Sequence, residues 1–214
     1  MTKPTFDQLP FNVRPDLTPY LVHLTKHTKR EDNHSAYDNL VNILETGRIW
    51  GSSKKGFVKG SKPAACFMDV PFASLKYVLN KRDADPQKPR YQPYGVAVTK
   101  PTAYKRGCRP VLYLSDRELG ELNIPPEQHW RVVRFETEAG RWISFVHERE
   151  WRCSGNFKLP RTIHAAFVRT TKEALALTSL LHAEPNRFKC VPRSVIPLTV
   201  LCQGLEIGKG TLER

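Results

Sequence analysis

Hydrophobic residues in this chain cluster in short runs, and polar, glycine-rich or proline-rich stretches separate these runs. Short apolar runs between turn-forming residues are typical of β-strands. The pattern predicts strands at residues 20–25, 64–68, 94–98, 110–114, 128–135, 142–151, 162–168 and 195–201. An Ala-Gly pair at 139–140 is predicted to form the turn between the strands at 128–135 and 142–151.

Three segments repeat their hydrophobic residues with the period of a helix instead. Residues 36–45 follow helical spacing, and Gly47 comes just after them as a helix stop. Residues 71–79 and 171–182 are predicted as the other two helices, the last with a threonine available as its N-terminal cap. The long stretches between all these elements are predicted as loops.

Many short strands with few helices indicate an α+β fold. We expect a curved or split, mostly antiparallel sheet with flanking helices, within the single core that 214 residues can form. Four prolines before residue 20 predict an irregular N-terminal arm over residues 1–19, because proline fixes its own φ and lacks an N–H donor. Residues 20–214 are then expected to form one domain.

Composition adds a strong basic charge, with 34 Lys and Arg against 21 Asp and Glu and a net charge of +13. A basic surface implies an anionic partner, of which nucleic acid is the commonest. A Gly-, Ser- and Lys-rich loop at residues 51–62 carries the candidate nucleic-acid contacts Lys54, Lys55, Lys59 and Lys62. A solvated surface loop is the alternative interpretation of this segment.

The five cysteines are odd in number and widely spaced, without a CxxC pair. They predict buried thiols of a reduced protein rather than a disulfide framework or a zinc site. The N-terminus lacks the apolar core of a signal peptide, and no apolar run approaches the roughly 18 residues of a membrane span. We therefore expect a cytoplasmic protein without a membrane partner.

Two carboxylates stand out at the end of the predicted strand 142–151. If this strand runs without a break, Glu148 and Glu150 project from the same face, because strand side chains repeat with period two. Arg149 and Arg152 flank them, so a solvated, mixed-charge strand end is one interpretation. The other is a carboxylate held at a cleft, where it orients a hydroxyl or stabilises a developing cation.

Four local patterns occur in a fixed order: YLVHLT at 20–25, NLVNILETG at 39–47, CFMDVP at 66–71 and EREWR at 148–152. In this order they resemble bacterial proteins of the ADP-ribosyltransferase-like fold, including DarT-type nucleic-acid ADP-ribosyltransferase toxins and AbiGi-like abortive-infection proteins. The resemblance covers roughly residues 20–155. It implies that NAD is the substrate and that no metal is needed.

In that chemistry, cleavage of the nicotinamide glycosidic bond gives the ribose oxocarbenium character, which a fixed carboxylate stabilises. Glu150 is the predicted carboxylate, and Glu148 is predicted to face the acceptor. The predicted contacts to NAD are His23, Thr25, Trp50, Phe67, Arg149 and Arg152. For His23 a purely structural role stays open, as does a metal-dependent nuclease that uses it with His27 and Glu148.

The resulting hypothesis is an ADP-ribosyltransferase that modifies nucleic acid or protein, as a toxin or phage-defence effector. An antitoxin or other regulatory protein is a further expected partner. The tyrosine and arginine motifs of the related subgroups have no evident counterpart in this sequence. A non-catalytic basic protein of the same fold, which binds nucleic acid or an acidic partner, is therefore the alternative.

Overall fold

The computed structural model describes residues 14–28, 34–52, 58–79, 91–137 and 142–202. Lys54, Lys55, the predicted turn at 139–140 and most of the predicted N-terminal arm lie outside these residues. The described strands are β1 Tyr20–Leu24, β2 Arg48–Ile49, β3 Ala64–Met68, β4 Gly95–Thr99, β5 Arg109–Pro110, β6 Leu112–Leu114, β7 Val132–Arg134, β8 Glu150–Ser154, β9 Phe157–Lys158, β10 Thr162–Ile163, β11 Ala165–Val168, β12 Val191–Pro192 and β13 Val195–Pro197.

The α-helices of the described residues are α1 Ala36–Thr46, α2 Leu75–Val78, α3 Lys100–Lys105, α4 Asp116–Glu121, α5 Thr171–Ala183 and α6 Leu198–Leu201. In the part of the chain that the structure describes, three 3-10 helices lie at Phe72–Ser74, Pro126–Arg131 and Val146–Glu148. In the described ranges, no helix is long and apolar enough to cross a membrane.

The chain divides into two compact units, each assembled from three stretches of sequence. The first comprises the described residues within Met1–His23, Arg48–Val70 and Val98–Leu159, and the second those within Leu24–Gly47, Pro71–Ala97 and Pro160–Arg214. The division falls inside β1 and β4, so each of these strands contributes residues to both units. That the chain forms one domain after an N-terminal arm stays a prediction.

The first unit is built on strands in the order β1-β3-β8-β5, and all neighbours are antiparallel. Val22 lies opposite Met68, which in turn lies opposite Glu150. Strands β2 and β9 form a separate antiparallel ribbon, and β6 pairs with β7 in parallel. This register decides which side chains of the predicted site share a face.

In the second unit, β11 pairs with β4 in antiparallel and with β13 in parallel orientation. Helix α1 begins with a capping box in which Ser35 and Asp38 exchange hydrogen bonds, and it ends at Gly47, whose φ of 61° is left-handed. The cap of α5 is Thr170, in a capping box with Glu173. The fold class is thus confirmed as α+β with mostly antiparallel strands and flanking helices.

Several predicted strands are shorter than expected or absent. The predicted strand 110–114 is split into β5 and β6, and the predicted strand 195–201 ends in helix α6. The connection at 99–109 contains α3, because Thr99 caps it and a proline occupies its first turn. The largest difference is at 142–151, where regular strand structure begins only at Glu150.

Candidate functional site

Residues 145–150 form a tight turn, here named the carboxylate turn, where the sequence predicts a continuous strand. Val146–Glu148 is a 3-10 helix, and Arg149 follows with a left-handed φ of 43° before β8 begins. The sequence analysis predicts a continuous strand over 142–151, in which Glu148 and Glu150 would project from the same face. The prediction of a continuous strand is wrong, because Glu148 lies in a 3-10 helix and the strand begins at Glu150. Left-handed backbone at a non-glycine residue costs free energy and persists where surrounding contacts fix it.

Two groups outside the carboxylate turn supply such contacts. The Tyr113 hydroxyl accepts a hydrogen bond from the Glu150 N–H (3.0 Å) and donates one to the Phe145 carbonyl (3.3 Å), which ties the two ends of the turn together. The Asp69 N–H donates to the Glu148 carbonyl (3.1 Å). Tyr113 and Asp69 were not among the predicted site residues, because only tertiary contacts bring them to this turn.

Arg149, a predicted contact to NAD, is held by the protein itself. Its Nε donates to the Asp69 carbonyl (2.8 Å), and its terminal nitrogen donates to the Asp16 carbonyl. Lys100 Nζ forms an ion pair with the Asp69 carboxylate at 2.8 Å. These bonds make Arg149 an anchor of the carboxylate turn, and a role in binding pyrophosphate stays a prediction.

Glu150 and Arg152 form a buried bidentate ion pair. Arg152 Nε lies 2.8 Å from Glu150 Oε1, and Arg152 Nη2 lies 3.1 Å from Oε2. Arg152 also donates from Nη1 to the carbonyls of Trp130 (3.1 Å) and Val132 (3.2 Å). Both oxygens of Glu150 therefore already accept charge-assisted hydrogen bonds, and the pair joins β8 to the segment that leads into β7.

Glu148 is buried as deeply as Glu150, with 4% and 8% of the two residues exposed. It ends the 3-10 helix of the carboxylate turn, where His147 Nε2 lies 4.0 Å from its Oε1. Burial raises the pKa of the Cys66 thiol, and the negative charges of Glu150 and Glu148 raise it further. Burial also raises the pKa of Tyr113 to about 12; the hydrogen bond from the Glu150 N–H opposes this rise, whereas the negative charges of Glu150 and Glu148 add to it. The charges of both carboxylates thus act on the same two neighbouring groups, the Cys66 thiol and the Tyr113 hydroxyl.

The register places His23 on the other face of the strands. Residues directly opposite each other on neighbouring strands have their side chains on the same face of the sheet. Met68 and Glu150 therefore share one face, and Phe67 and Trp151 share the other. His23 belongs to the Phe67 face, since the two rings meet edge to face with centroids 6.0 Å apart. His23 and Glu150 are only two strand spacings apart, roughly 10 Å. Their side chains nevertheless point away from each other, so the expected pairing of both around one ribose does not form.

His23 is held by a backbone contact. Its Nδ1 lies 2.8 Å from the Cys66 carbonyl, and because a carbonyl only accepts, Nδ1 carries the proton. Burial lowers the pKa of His23, which favours the neutral ring with Nε2 as acceptor. Phe67 is 2% exposed and packs against Phe157 with ring centroids 5.0 Å apart, as expected of a core residue.

Thr25 belongs to the second unit and is buried. Its hydroxyl donates to the carbonyls of Ala36 (2.8 Å) and Tyr94 (3.2 Å). The hydroxyl therefore fastens the start of helix α1 to the segment before β4. Contact of Thr25 with NAD stays a prediction.

Trp50 lies at the opposite end of β8 from the carboxylates. Ser52 and Gly155 both bridge to Ala64, so the segment after β2 lies beside the turn that follows β8. The five residues of β8 span roughly 16 Å. The structure therefore separates Trp50 from Glu150, contrary to their predicted grouping around one NAD. Of the described lysines of the predicted loop, Lys59 is paired with Asp116 and Lys62 is exposed.

The described part of the chain contains no cluster of three or more His, Cys, Asp or Glu side chains that could hold a metal. Its five cysteines are free, and four of them are buried. Cys66 is the partly exposed one, although it lies beside the buried ion pair, opposite Arg152 on the ladder.

No family model and no curated protein sequence matches the chain. Two solved structures are similar to it over most of its length. One is Thermus sp. 2.9 DarT in complex with NAD+, 14% identical, with a TM-score of 0.48 over 84% of this chain and 96% of that chain. The other is Thermus sp. 2.9 DarT in complex with carba-NAD+, 14% identical, with a TM-score of 0.46 over 86% of this chain and 97% of that chain.

Proposed function

We propose that the chain is an ADP-ribosyltransferase that transfers ADP-ribose from NAD to nucleic acid, with Glu148 as its essential carboxylate. One observation carries the proposal. Patterns of the resemblance that are far apart in sequence lie on the neighbouring strands β1, β3 and β8, and β8 is preceded by a clamped turn that carries the buried carboxylate of Glu148. Buried carboxylates are costly, and they concentrate at sites where chemistry needs them.

The proposed reaction breaks the bond between C1′ of the ribose and the nicotinamide nitrogen, and its electron pair leaves with nicotinamide. Positive charge then develops on the ribose. A carboxylate that accepts a hydrogen bond from a ribose hydroxyl stabilises this charge. The nucleophilic atom of the acceptor bonds to C1′ and releases its proton to solvent, and no step of the proposed reaction uses a metal.

Glu148 suits this role better than Glu150. Both oxygens of Glu150 accept hydrogen bonds from Arg152, so binding a ribose hydroxyl there would weaken a buried ion pair. Glu148 ends a 3-10 helix, and its carbonyl accepts a hydrogen bond from the Asp69 N–H. The Tyr113 hydroxyl ties together the two ends of the carboxylate turn that contains this helix. A rigid backbone is what a group aimed at a transition state needs. This reverses the ranking expected from sequence.

The test is to incubate the purified protein with adenine-labelled NAD and single-stranded oligonucleotides. Released nicotinamide measures bond cleavage, and label on the oligonucleotide measures transfer. We expect Glu148→Gln to reduce both by about 100-fold or more, the scale of losing one transition-state stabiliser. Glu127 is exposed, so Glu127→Gln is the matched control and should retain activity.

Equal activity of Glu148→Gln and the unmodified protein, with both folded by circular dichroism, would remove Glu148 from the mechanism. A role as a toxin or phage-defence effector, with a neutralising partner protein, is part of the proposal and rests on the sequence resemblance. It predicts that expression of the unmodified chain arrests bacterial growth, whereas Glu148→Gln does not.

The second candidate is a non-catalytic binding protein of the same fold. The Glu150–Arg152 pair favours it, because the carboxylate that the sequence singled out is occupied in holding the strands. In that case NAD would not raise the melting temperature, and nicotinamide would not be released.

A further inference from the structure

We propose that the far end of β8 carries a binding surface for single-stranded nucleic acid, formed by Arg48, Trp50, Arg106 and Lys158 and named here the cationic surface. It differs from the lysine loop that the sequence suggested. Only one part of this inference rests on the proposed function, namely that the strand bound at the cationic surface is also ADP-ribosylated. Binding itself needs neither NAD nor the carboxylate turn.

The ribbon of β2 and β9 places like charges together. Arg48 lies directly opposite Lys158 on the ladder, and both are exposed, whereas their neighbours Ile49 and Phe157 are buried on the other face. Like charges directly opposite each other destabilise a ladder. The arrangement therefore favours a partner that brings negative charge to this face.

A third cation adjoins the ribbon. Arg106 follows helix α3 and donates from Nη1 to the Lys158 carbonyl at 3.0 Å. Among the described residues, Arg48, Arg106 and Lys158 form no ion pair with a carboxylate. By contrast, Lys59 of the predicted lysine loop is neutralised by Asp116. Three exposed cations that lack acidic partners within the described part of the chain match the repeating charge of a phosphate backbone.

Trp50 adds a stacking ring to these charges. Its side chain is 57% exposed, and the Arg48 guanidinium lies 5.2 Å from the ring centroid. The segment is held in place, because the Gly51 N–H donates to Asn156 Oδ1 (2.9 Å). A Cβ on Gly51 would come within 2.5 Å of the Gly155 carbonyl oxygen, so the two turns touch through their backbones.

An exposed indole beside cations is the arrangement on which unpaired bases stack. Bases inside a duplex already stack on each other and offer only their edges and backbone. An acidic peptide would use the cations but would leave the indole without a comparable partner. The surface thus fits a single strand better than a duplex or an acidic protein.

The experiment measures binding of short fluorescein-labelled oligothymidylate and oligouridylate by anisotropy, without NAD, over a range of salt concentrations. A duplex of equal length and polyglutamate are the competitors. We expect Trp50→Ala to weaken single-strand binding by about 10-fold or more, with little change in salt dependence. Arg48→Gln and Lys158→Gln should each weaken binding and lower the salt slope by about 1.

Trp142 is 75% exposed and supplies the matched aromatic control, while Lys62→Gln tests the lysine loop. Unchanged binding by Trp142→Ala supports the cationic surface, provided that melting curves show all variants folded. Equal losses from Trp50→Ala and Trp142→Ala, duplex binding as tight as single-strand binding, or effective competition by polyglutamate would each overturn it. Glu148→Gln should bind normally, so a failed enzymatic proposal would not be mistaken for a failed surface.

Discussion

The two ends of strand β8 differ in nearly every physical property. At its start two carboxylates are buried, clamped by hydrogen bonds and adjacent to a buried arginine. At its end, the neighbouring β2–β9 ribbon presents exposed cations that pair with no carboxylate of the described residues, and the exposed indole of Trp50 follows β2. Removing the charges at the first end from water costs free energy. At the second end this cost is small, because water still solvates the charges.

This difference separates two kinds of contribution. Buried, oriented charge acts strongly over a short range, which suits stabilisation of a transition state. Exposed charge acts weakly over a longer range and is screened by salt, which suits capture of a polyanion. Substitutions at the two ends should therefore change different measured quantities, and the following variants test that separation.

The largest effect is expected when the buried ion pair is broken. Arg152→Met leaves the Glu150 carboxylate buried without its partner and removes donors from two carbonyls, so we expect it to lower the free energy of unfolding by about 3–5 kcal/mol. Urea denaturation measures this loss. The double variant Glu150→Met with Arg152→Met should recover most of the stability, since no unpaired charge remains. A loss in the double variant as large as in the single one would contradict this.

Next in size is the effect of Glu148→Gln on catalysis. NAD cleavage should fall by about 100-fold, equivalent to roughly 2.7 kcal/mol in the barrier. Oligonucleotide binding should not change.

Arg48→Gln combined with Lys158→Gln should give the opposite result, with weakened binding and unchanged NAD hydrolysis in the absence of acceptor. If either variant altered both measurements equally, the two ends of β8 would not be separable.

Sequence patterns locate the elements that local signals define. The helices α1 and α5 have capping boxes and periodic apolar residues, and both are found close to their predicted bounds. Helix α4 was missed although Ser115 and Glu118 form the same kind of capping box, because the helix is short and buries no residue. A local signature without a hydrophobic stripe is easily read as a loop.

The candidate site was only partly predictable. The sequence singles out Glu148 and Glu150, but the assumption of a continuous strand hides the turn between them. The turn depends on Tyr113 and Asp69, which are distant in sequence. Likewise, which face His23 occupies depends on the register of two ladders, and a shift of one residue would reverse it. Residue types suggest chemistry, whereas register and tertiary hydrogen bonds decide which groups meet.

A smaller effect is expected from Tyr113→Phe. The change removes the hydroxyl that joins Glu150 to Phe145 across the carboxylate turn, and we expect a loss of about 1–2 kcal/mol in the free energy of unfolding. NAD cleavage should fall as well, because Glu148 loses its fixed position. Tyr77 is exposed, so Tyr77→Phe serves as the control and should change neither quantity. Loss of stability with full activity would show that the clamp does not position Glu148.

The smallest effect concerns His23 and pH. Burial lowers the pKa of His23 below the ordinary imidazole value of about 6.5, so the unfolded chain binds more protons than the folded one between these two values. Stability should therefore be constant above about pH 6.5 with respect to this group and should fall as the pH is lowered from there towards the folded pKa. Urea midpoints measured across this range follow the change.

His23→Asn should flatten that decline only in part, because burial also lowers the pKa of His164. The exposed His182 is the control, and His182→Asn should retain the full decline. Since His23 faces away from Glu150, NAD cleavage by His23→Asn should stay within about threefold of the unmodified protein, far from the roughly 100-fold loss of a transition-state contact. A loss of that larger size without a change in stability would place His23 at the substrate. The face of β1 and β3 that carries His23 and Phe67 would then also face the substrate.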